Sequence, residues 1–171
     1  SGPFIMATAN TRVVRRSEAL LALRQESYGP NFTYQEHAFH KSWFSAFRSL
    51  VLTGISVLVL LSPLKRLVKP FLPKPGEGPS EFVQENGWFD CKFIVETEDG
   101  IKSVFNMNGK GDPGYKVTSK LVSECALCLI EEIDNLPGGS EYGGVLTCAS
   151  GLGNPLIARL SKTGINFTGP L

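Results

Sequence analysis

Charge of either sign is scarce in this 171-residue chain, and cysteine and histidine are scarcer still. Seventeen basic and sixteen acidic side chains leave a net charge of +1, without the strongly basic balance expected of a nucleic-acid binder. Cys91, Cys125, Cys128 and Cys148 are the only cysteines. Four at this spacing form no disulfide framework and suit a reducing compartment. His37 and His40 stand near no Ser or Cys in a recognisable nucleophile setting, so a catalytic triad has no support. Internal repeats and low-complexity tracts are absent. The opening Ser-Gly-Pro brings no initiator Met, no basic n-region and no signal peptide, and the chain reads as the remainder of something longer. Its length suits one domain, or one and a fraction, with enough apolar content for a real core.

Acidic residues are missing altogether from residues 41–75, which hold six basic ones. The rest of the chain then carries eleven basic against sixteen acidic side chains. Ser49 to Ser62 is free of charge, and nine of those fourteen positions are Leu, Val or Ile. Fourteen helical residues span roughly 21 Å, short of the roughly 30 Å hydrocarbon core. Extension back to Trp43 reaches that length only by admitting Arg48, which can snorkel. Ala46, Ser49, Thr53 and Ser56 form a small, weakly polar stripe suited to close helix packing. Ser62-Pro63 reads as an N-cap followed by proline at the first position of a second helix. In that arm Leu64, Leu67, Val68, Phe71 and Leu72 fall on one side, and Lys65, Arg66 and Lys69 on the other. Pro70 should kink or end it. A basic, apolar helical hairpin suggests contact with a membrane or with apolar partner helices. The contact set is Trp43, Phe47, Leu50, Ile55, Leu58, Leu61, Leu64, Lys65, Arg66, Leu67, Lys69 and Phe71. The bland alternative is a helical hairpin buried in the protein's own core or a neighbour's.

Elsewhere, Asn10 or Thr11 is placed to cap a helix running to about Glu26, with Arg12, Arg15 and Arg16 crowding its first turns. Those arginines suit an acidic neighbour, a phosphate or plain solvation. Asn31 to Phe39 alternates like a strand, and Pro73 to Pro79 reads as a stiff connector. Trp88–Thr97 and Ile101–Asn108 predict an antiparallel hairpin about a Glu98-Asp99-Gly100 turn. Lys116 to Asp134 predicts a long helix that buries Leu121, Cys125, Cys128, Leu129 and Ile133. A short strand at Gly144–Cys148, a helix capped by Asn154-Pro155, and an edge strand at Gly164–Thr168 complete the reading. The fold class is α+β: a mixed, largely antiparallel sheet packed with helices, plus the apolar, basic helical hairpin. Residues 1–40 and 76–171 are expected to form one domain, with 41–75 inserted.

Gly109, Gly111 and Gly114 spell a G-x-G-x-x-G between a strand and a helix, the order of a dinucleotide-binding turn. Asp112 puts a carboxylate where a pyrophosphate needs donors, Pro113 removes an amide, and the preceding strand lies in a hairpin. A simple turn is the better reading. Cys125 and Cys128 make a C-x-x-C inside a helix without a second ligand pair, which favours core packing over zinc. The Asn31 and Asn166 glycosylation patterns are attributed to chance.

Three stretches carry a resemblance: SGPFIMATANTRVVRRS, GDPGYKVTSKLVSECALCL and YGGVLTCASGLGNPLIARLSKTGINF. They resemble the C-terminal half of saccharopine dehydrogenase-like oxidoreductases, a family that includes trans-acting enoyl reductases and eukaryotic membrane or lipid-droplet proteins. The apolar midsection matches the family's hydrophobic helical insertion. Cys148 stands where the family pattern leads one to expect proline. The resemblance implies a preceding Rossmann domain that binds NAD or NADP, and it carries no catalytic residue onto this chain. It further implies that this chain binds no cofactor alone, and serves on the substrate side, in subunit pairing and at an intracellular membrane, mitochondrial or lipid-droplet. The expected partners are a membrane or apolar helices, and a Rossmann-domain polypeptide or other complex subunits. A non-enzymatic structural or docking subunit of a membrane assembly is the alternative.

Overall fold

A computed structural model describes residues 1–170 except Pro73 and Pro75. The connector expected at 73–79 therefore falls partly outside the described residues. Contacts divide the chain into two units, Ser1–Glu77 and Gly78–Leu171. The first holds both the N-terminal segments and the apolar segment.

In the first unit β1 (Gly2–Pro3) precedes α1 (Ala7–Ala22). The helix starts at Met6 without a side-chain cap, earlier than the expected Asn10 or Thr11. Asn10 is spent elsewhere, its amide donating to both oxygens of Glu36 at 3.0 Å. Ser17, Leu20 and Leu21 form the buried stripe, and Ser17 returns its hydroxyl to the Val13 carbonyl at 3.0 Å. The end of α1 is a Schellman turn: Gln25 has φ +63°, and the Glu26 amide reaches the Leu21 carbonyl at 3.0 Å. The helix therefore stops short of Glu26. The expected strand at 31–39 reduces to β2 (His37–Ala38), paired with β1. Alternation alone did not make a strand there, because only two residues of neighbouring chain offer a ladder.

After β2, Ser42 caps α2 (Trp43–Leu61), accepting from the Ser45 amide at 3.2 Å. Ser62 leaves the helix in extended conformation, and its hydroxyl accepts from the Leu64 amide at 3.2 Å. The second arm is shorter than expected. It comprises α3 (Lys65–Val68) and one 3₁₀ turn, Lys69–Phe71, around Pro70.

The second unit opens with α4 (Glu81–Asn86), which the sequence reading passed over although Ser80 caps it. Next come β3 (Trp88–Glu96) and β4 (Lys102–Lys110), antiparallel with Trp88 opposite Lys110 and Glu96 opposite Lys102. Gly100, at φ +84°, and the Thr97–Ile101 backbone bond of 3.0 Å close the turn as expected. The helix α5 (Lys116–Glu131) stops three residues early and is followed by a 3₁₀ turn, Ile133–Asn135. No strand forms at Gly144–Cys148. Thr147 and Ser150 instead make a reciprocal capping box that starts α6 (Cys148–Gly151). The last helix, α7 (Gly153–Lys162), begins after Leu152, with Pro155 in its first turn where a missing amide costs little. β5 (Ile165–Thr168) adds antiparallel to β4, giving the order β3-β4-β5 with β3 and β5 as edges.

The observed class is α+β, with both sheets antiparallel. In the second unit Val117, Cys128, Leu136, Leu152, Leu156, Leu160 and Ile165 form the core, with Phe89, Met107 and Phe167 of the sheet packed against it. Arg159 of α7 bonds Glu124 at 3.0 Å and Glu131 at 2.6 Å, joining α7 to α5. Leu129 and Ile133, expected inside, are 52% and 39% exposed. Only Val117 and Cys128 of α5 are fully buried, because a single face of that helix turns to the core it shares with α7.

Candidate functional site

The apolar segment projects its side chains outward. No residue of α2, α3 or the turn after them is buried. Trp43, Phe47, Leu50, Ile55, Leu58, Leu61, Leu64, Leu67 and Phe71 are all exposed, Leu58 by 69%. Lys65, Arg66 and Lys69 are exposed too. Among the described residues, none of Lys41, Arg48, Lys65, Arg66 and Lys69 takes part in an ion pair. The helix is long and apolar enough to cross a membrane by length and composition. At about 100° per residue, Ser45, Ala46, Ser49, Thr53 and Ser56 share one arc of roughly 100°. Leu60 is the one large apolar side chain in that arc. Trp43, Phe44, Phe47, Leu50, Val51, Leu52, Ile55, Val57, Leu58, Val59 and Leu61 cover the remainder.

The same unit carries an open groove of about 400 Å³ along α1, where Arg12 and Arg15 face Tyr34, Glu36 and His37. Glu36 lines that groove with its carboxylate accepting from the Asn10 amide, and among the described residues neither Arg12 nor Arg15 forms an ion pair with it.

In the second unit an open cleft of about 580 Å³ lies at the sheet end where β3 begins and β4 finishes. Trp88, Asp90, Asn108, Lys110, Lys120 and Asn166 supply its chemistry. Asp90, Asn108 and Asn166 stand in cross-strand register, and the Asn166 amide donates to Asn108 at 3.1 Å. The Lys120 ammonium donates to the Thr163 carbonyl at 2.8 Å, which leaves Lys110 as the freer cation. Two ammonium groups, a carboxylate, amides and an indole suit a polar group lying against an apolar body. Sequence reasoning missed this cleft. Its local signal was the second alternation of the hairpin: Trp88, Asp90 and Lys92 on β3, and Asn106, Asn108 and Lys110 on β4.

Gly109 and Gly111 are accounted for by packing and backbone conformation. A side chain on Gly109 would sit 2.8 Å from the Phe89 ring, and Gly111 has φ +108°. The Gly111 amide donates to the Gly87 carbonyl at 2.7 Å, and the Asp112 amide to Gln84 at 3.0 Å. The Asp112 carboxylate accepts from the Tyr115 amide at 2.8 Å. Amides that a pyrophosphate would use are thus bonded within the chain. Cys128 is fully buried, and burial pushes its thiol above the ordinary range. Cys125 is pushed up to about 11, first by burial and then by the neighbouring Cys148 thiol, with which it shares a hydrogen bond. Among the described residues, no group of three or more His, Cys, Asp or Glu side chains is arranged to hold a metal.

A protein of Mycobacterium tuberculosis named as a trans-acting enoyl reductase is 38% identical to this chain over 173 residues, covering 96% of this chain and 40% of that protein. Trans-acting enoyl reductases of Mycobacterium ulcerans and Mycobacterium bovis are 34% identical over the same shares. The chain therefore spans about 40% of the length of the curated relatives it matches. No family model and no solved structure matches it. Over nearly all of its length the chain is similar to a portion of these enoyl reductases.

Proposed function

We propose that this chain is the substrate-side and membrane-seating portion of an NAD(P)-dependent, saccharopine dehydrogenase-like oxidoreductase of the enoyl reductase type. The similarity to enoyl reductases along 96% of the chain carries this reading. In the whole protein a nicotinamide held by a Rossmann domain would supply the hydride that reduces an enoyl group. This portion contributes the cleft of Trp88, Lys110 and Lys120 as a wall for the acyl substrate, together with surface for subunit pairing. Residues 43–72 seat the protein on an intracellular membrane, mitochondrial or lipid-droplet. The bonding of the Gly111 and Asp112 amides supports placing the cofactor outside this chain.

A second reading, a non-enzymatic docking subunit, draws on the exposure of α2, which suits attachment whatever the chemistry. Copurification separates the two, since a nucleotide-binding polypeptide in equal amount supports the enzyme. Calorimetry tests the cofactor assignment. The isolated chain should give no micromolar binding of NADH or NADPH, and binding abolished by Gly111→Val would overturn the proposal.

A further inference from the structure

A helix that spans a bilayer and a helix that lies in its surface ask different things of the same apolar residues. A spanning helix meets hydrocarbon all round, apart from faces turned to other helices. An in-plane helix keeps one polar line toward water for its whole length. In α2 such a line runs from Ser45 to Ser56, and Leu60 interrupts it only in the last turn. Ser45, Ser49, Thr53 and Ser56 recur along three turns, while eleven large apolar side chains fill the other arc. The hydroxyl of Ser56 is already bonded to the Leu52 carbonyl at 2.8 Å, so the line is weakly polar and almost uncharged. Arg48 lies about 60° outside that line, with Leu52 and Val59 between, and its long stem lets the guanidinium snorkel to the water boundary of an in-plane helix. In a span the same residue would sit more than a turn inside the hydrocarbon.

The extent of the charge-free run points the same way. The charge-free run of about fourteen residues covers roughly 21 Å of a core roughly 30 Å thick. Beyond it, Lys65, Arg66 and Lys69 follow within eight residues of Leu61, on a short turn with no room for a second arm through the membrane. Trp43, Phe44 and Phe47 cluster at the other end, the kind of aromatic side chain that settles at a headgroup boundary. The cations have no carboxylate partner among the described residues, and residues 41–75 contain no acidic residue that could supply one.

We infer that α2 lies in the plane of an anionic phospholipid surface, with its apolar arc among the acyl chains and its Ser/Thr line toward water. Arg48, Lys65, Arg66 and Lys69 then meet headgroup phosphates and carboxylates. This rests on the membrane-seating reading above and adds orientation and lipid class to it.

Flotation of the full chain with vesicles of phosphatidylcholine, with and without phosphatidylserine, tests it. Three variants are compared: Thr53→Lys on the line, Leu58→Lys in the middle of the arc, and Lys65→Glu with Arg66→Glu. No residue of α2 is buried, so circular dichroism should find all three folded. Leu58→Lys should weaken binding about tenfold or more, because it places a charge among acyl chains. Thr53→Lys should bind as well as the parent or better on phosphatidylserine. The double charge reversal should lose about tenfold on phosphatidylserine vesicles, and less as salt is raised. Loss of binding by both Thr53→Lys and Leu58→Lys would overturn the in-plane orientation while leaving membrane seating intact. Equal binding to both lipid compositions would overturn the headgroup assignment. A parent chain that floats with neither vesicle would overturn membrane seating and this inference with it.

Discussion

Gly87 offers a sharp test of how the second unit is held together. It joins α4 to β3 at φ −62° and ψ 164°, a conformation open to any residue. Substitution by alanine therefore brings no backbone penalty, and its effect is purely one of space. An alanine Cβ would lie 2.7 Å from the Asp112 nitrogen, 2.8 Å from the Asp112 Cα and 2.9 Å from the Val83 carbonyl oxygen. All three are backbone atoms, so no side chain can swing aside. Relief requires α4 and the Gly111–Asp112 turn to part. That separation endangers the Gly111–Gly87 bond at 2.7 Å and the Asp112–Gln84 bond at 3.0 Å. Each is worth about 1 kcal/mol net. The Lys116–Glu85 ion pair across the same junction is surface-exposed and adds little. Alanine restricts the unfolded chain and returns about 0.5–1 kcal/mol. Gly87→Ala should thus destabilise the unit by about 1–1.5 kcal/mol in urea unfolding. Gly78→Ala is the control, with nothing within 4 Å of its added Cβ and no positive φ, and should gain the unfolded-chain term alone, about 0.5–1 kcal/mol over the parent. Equal midpoints for the two variants would refute the steric argument.

Gly100→Val should cost on the order of 1 kcal/mol or more, because a β-branched residue resists the φ of +84° that closes the hairpin; the urea midpoint reads this. Cys125, with its thiol pushed up to about 11, should react with iodoacetamide near pH 8 at least about tenfold more slowly than an unhindered thiol, as followed by mass spectrometry. The fold favours the neutral thiol. The associated stability is therefore full below about pH 9 and is lost as pH rises toward about 11, which pH-dependent unfolding should trace.

The hairpin was legible because local alternation and an Asp-Gly turn agree, and its partner strand is the next segment of chain. Asn31 to Phe39 alternates as well, yet only His37 and Ala38 pair, because β1 offers just two residues. At Gly144–Cys148 the apolar run suggested a strand, but the hydroxyls of Thr147 and Ser150 satisfy the backbone locally and start a helix instead. The signal for α4 was present in Ser80 followed by helix-forming Glu81 and Gln84, and was simply short. Of the candidate sites, the apolar segment is contiguous in sequence and could be read directly. The cleft joins Trp88 to Lys120 and Asn166 across the sheet, and no local pattern brings those together.

The nine residues of β3 have one further consequence. An antiparallel strand presents its amides and carbonyls alternately to either side, and β4 takes only the inner row. Among the described residues no strand takes the outer row, so the sheet ends in a ready template for another chain. Asp90, Lys92 and Glu96 place alternating charge along that border, where self-recruitment would bring like charges together or force a shift of register. Those three side chains act as gatekeepers, and neutralising them should make the protein precipitate at concentrations the parent tolerates.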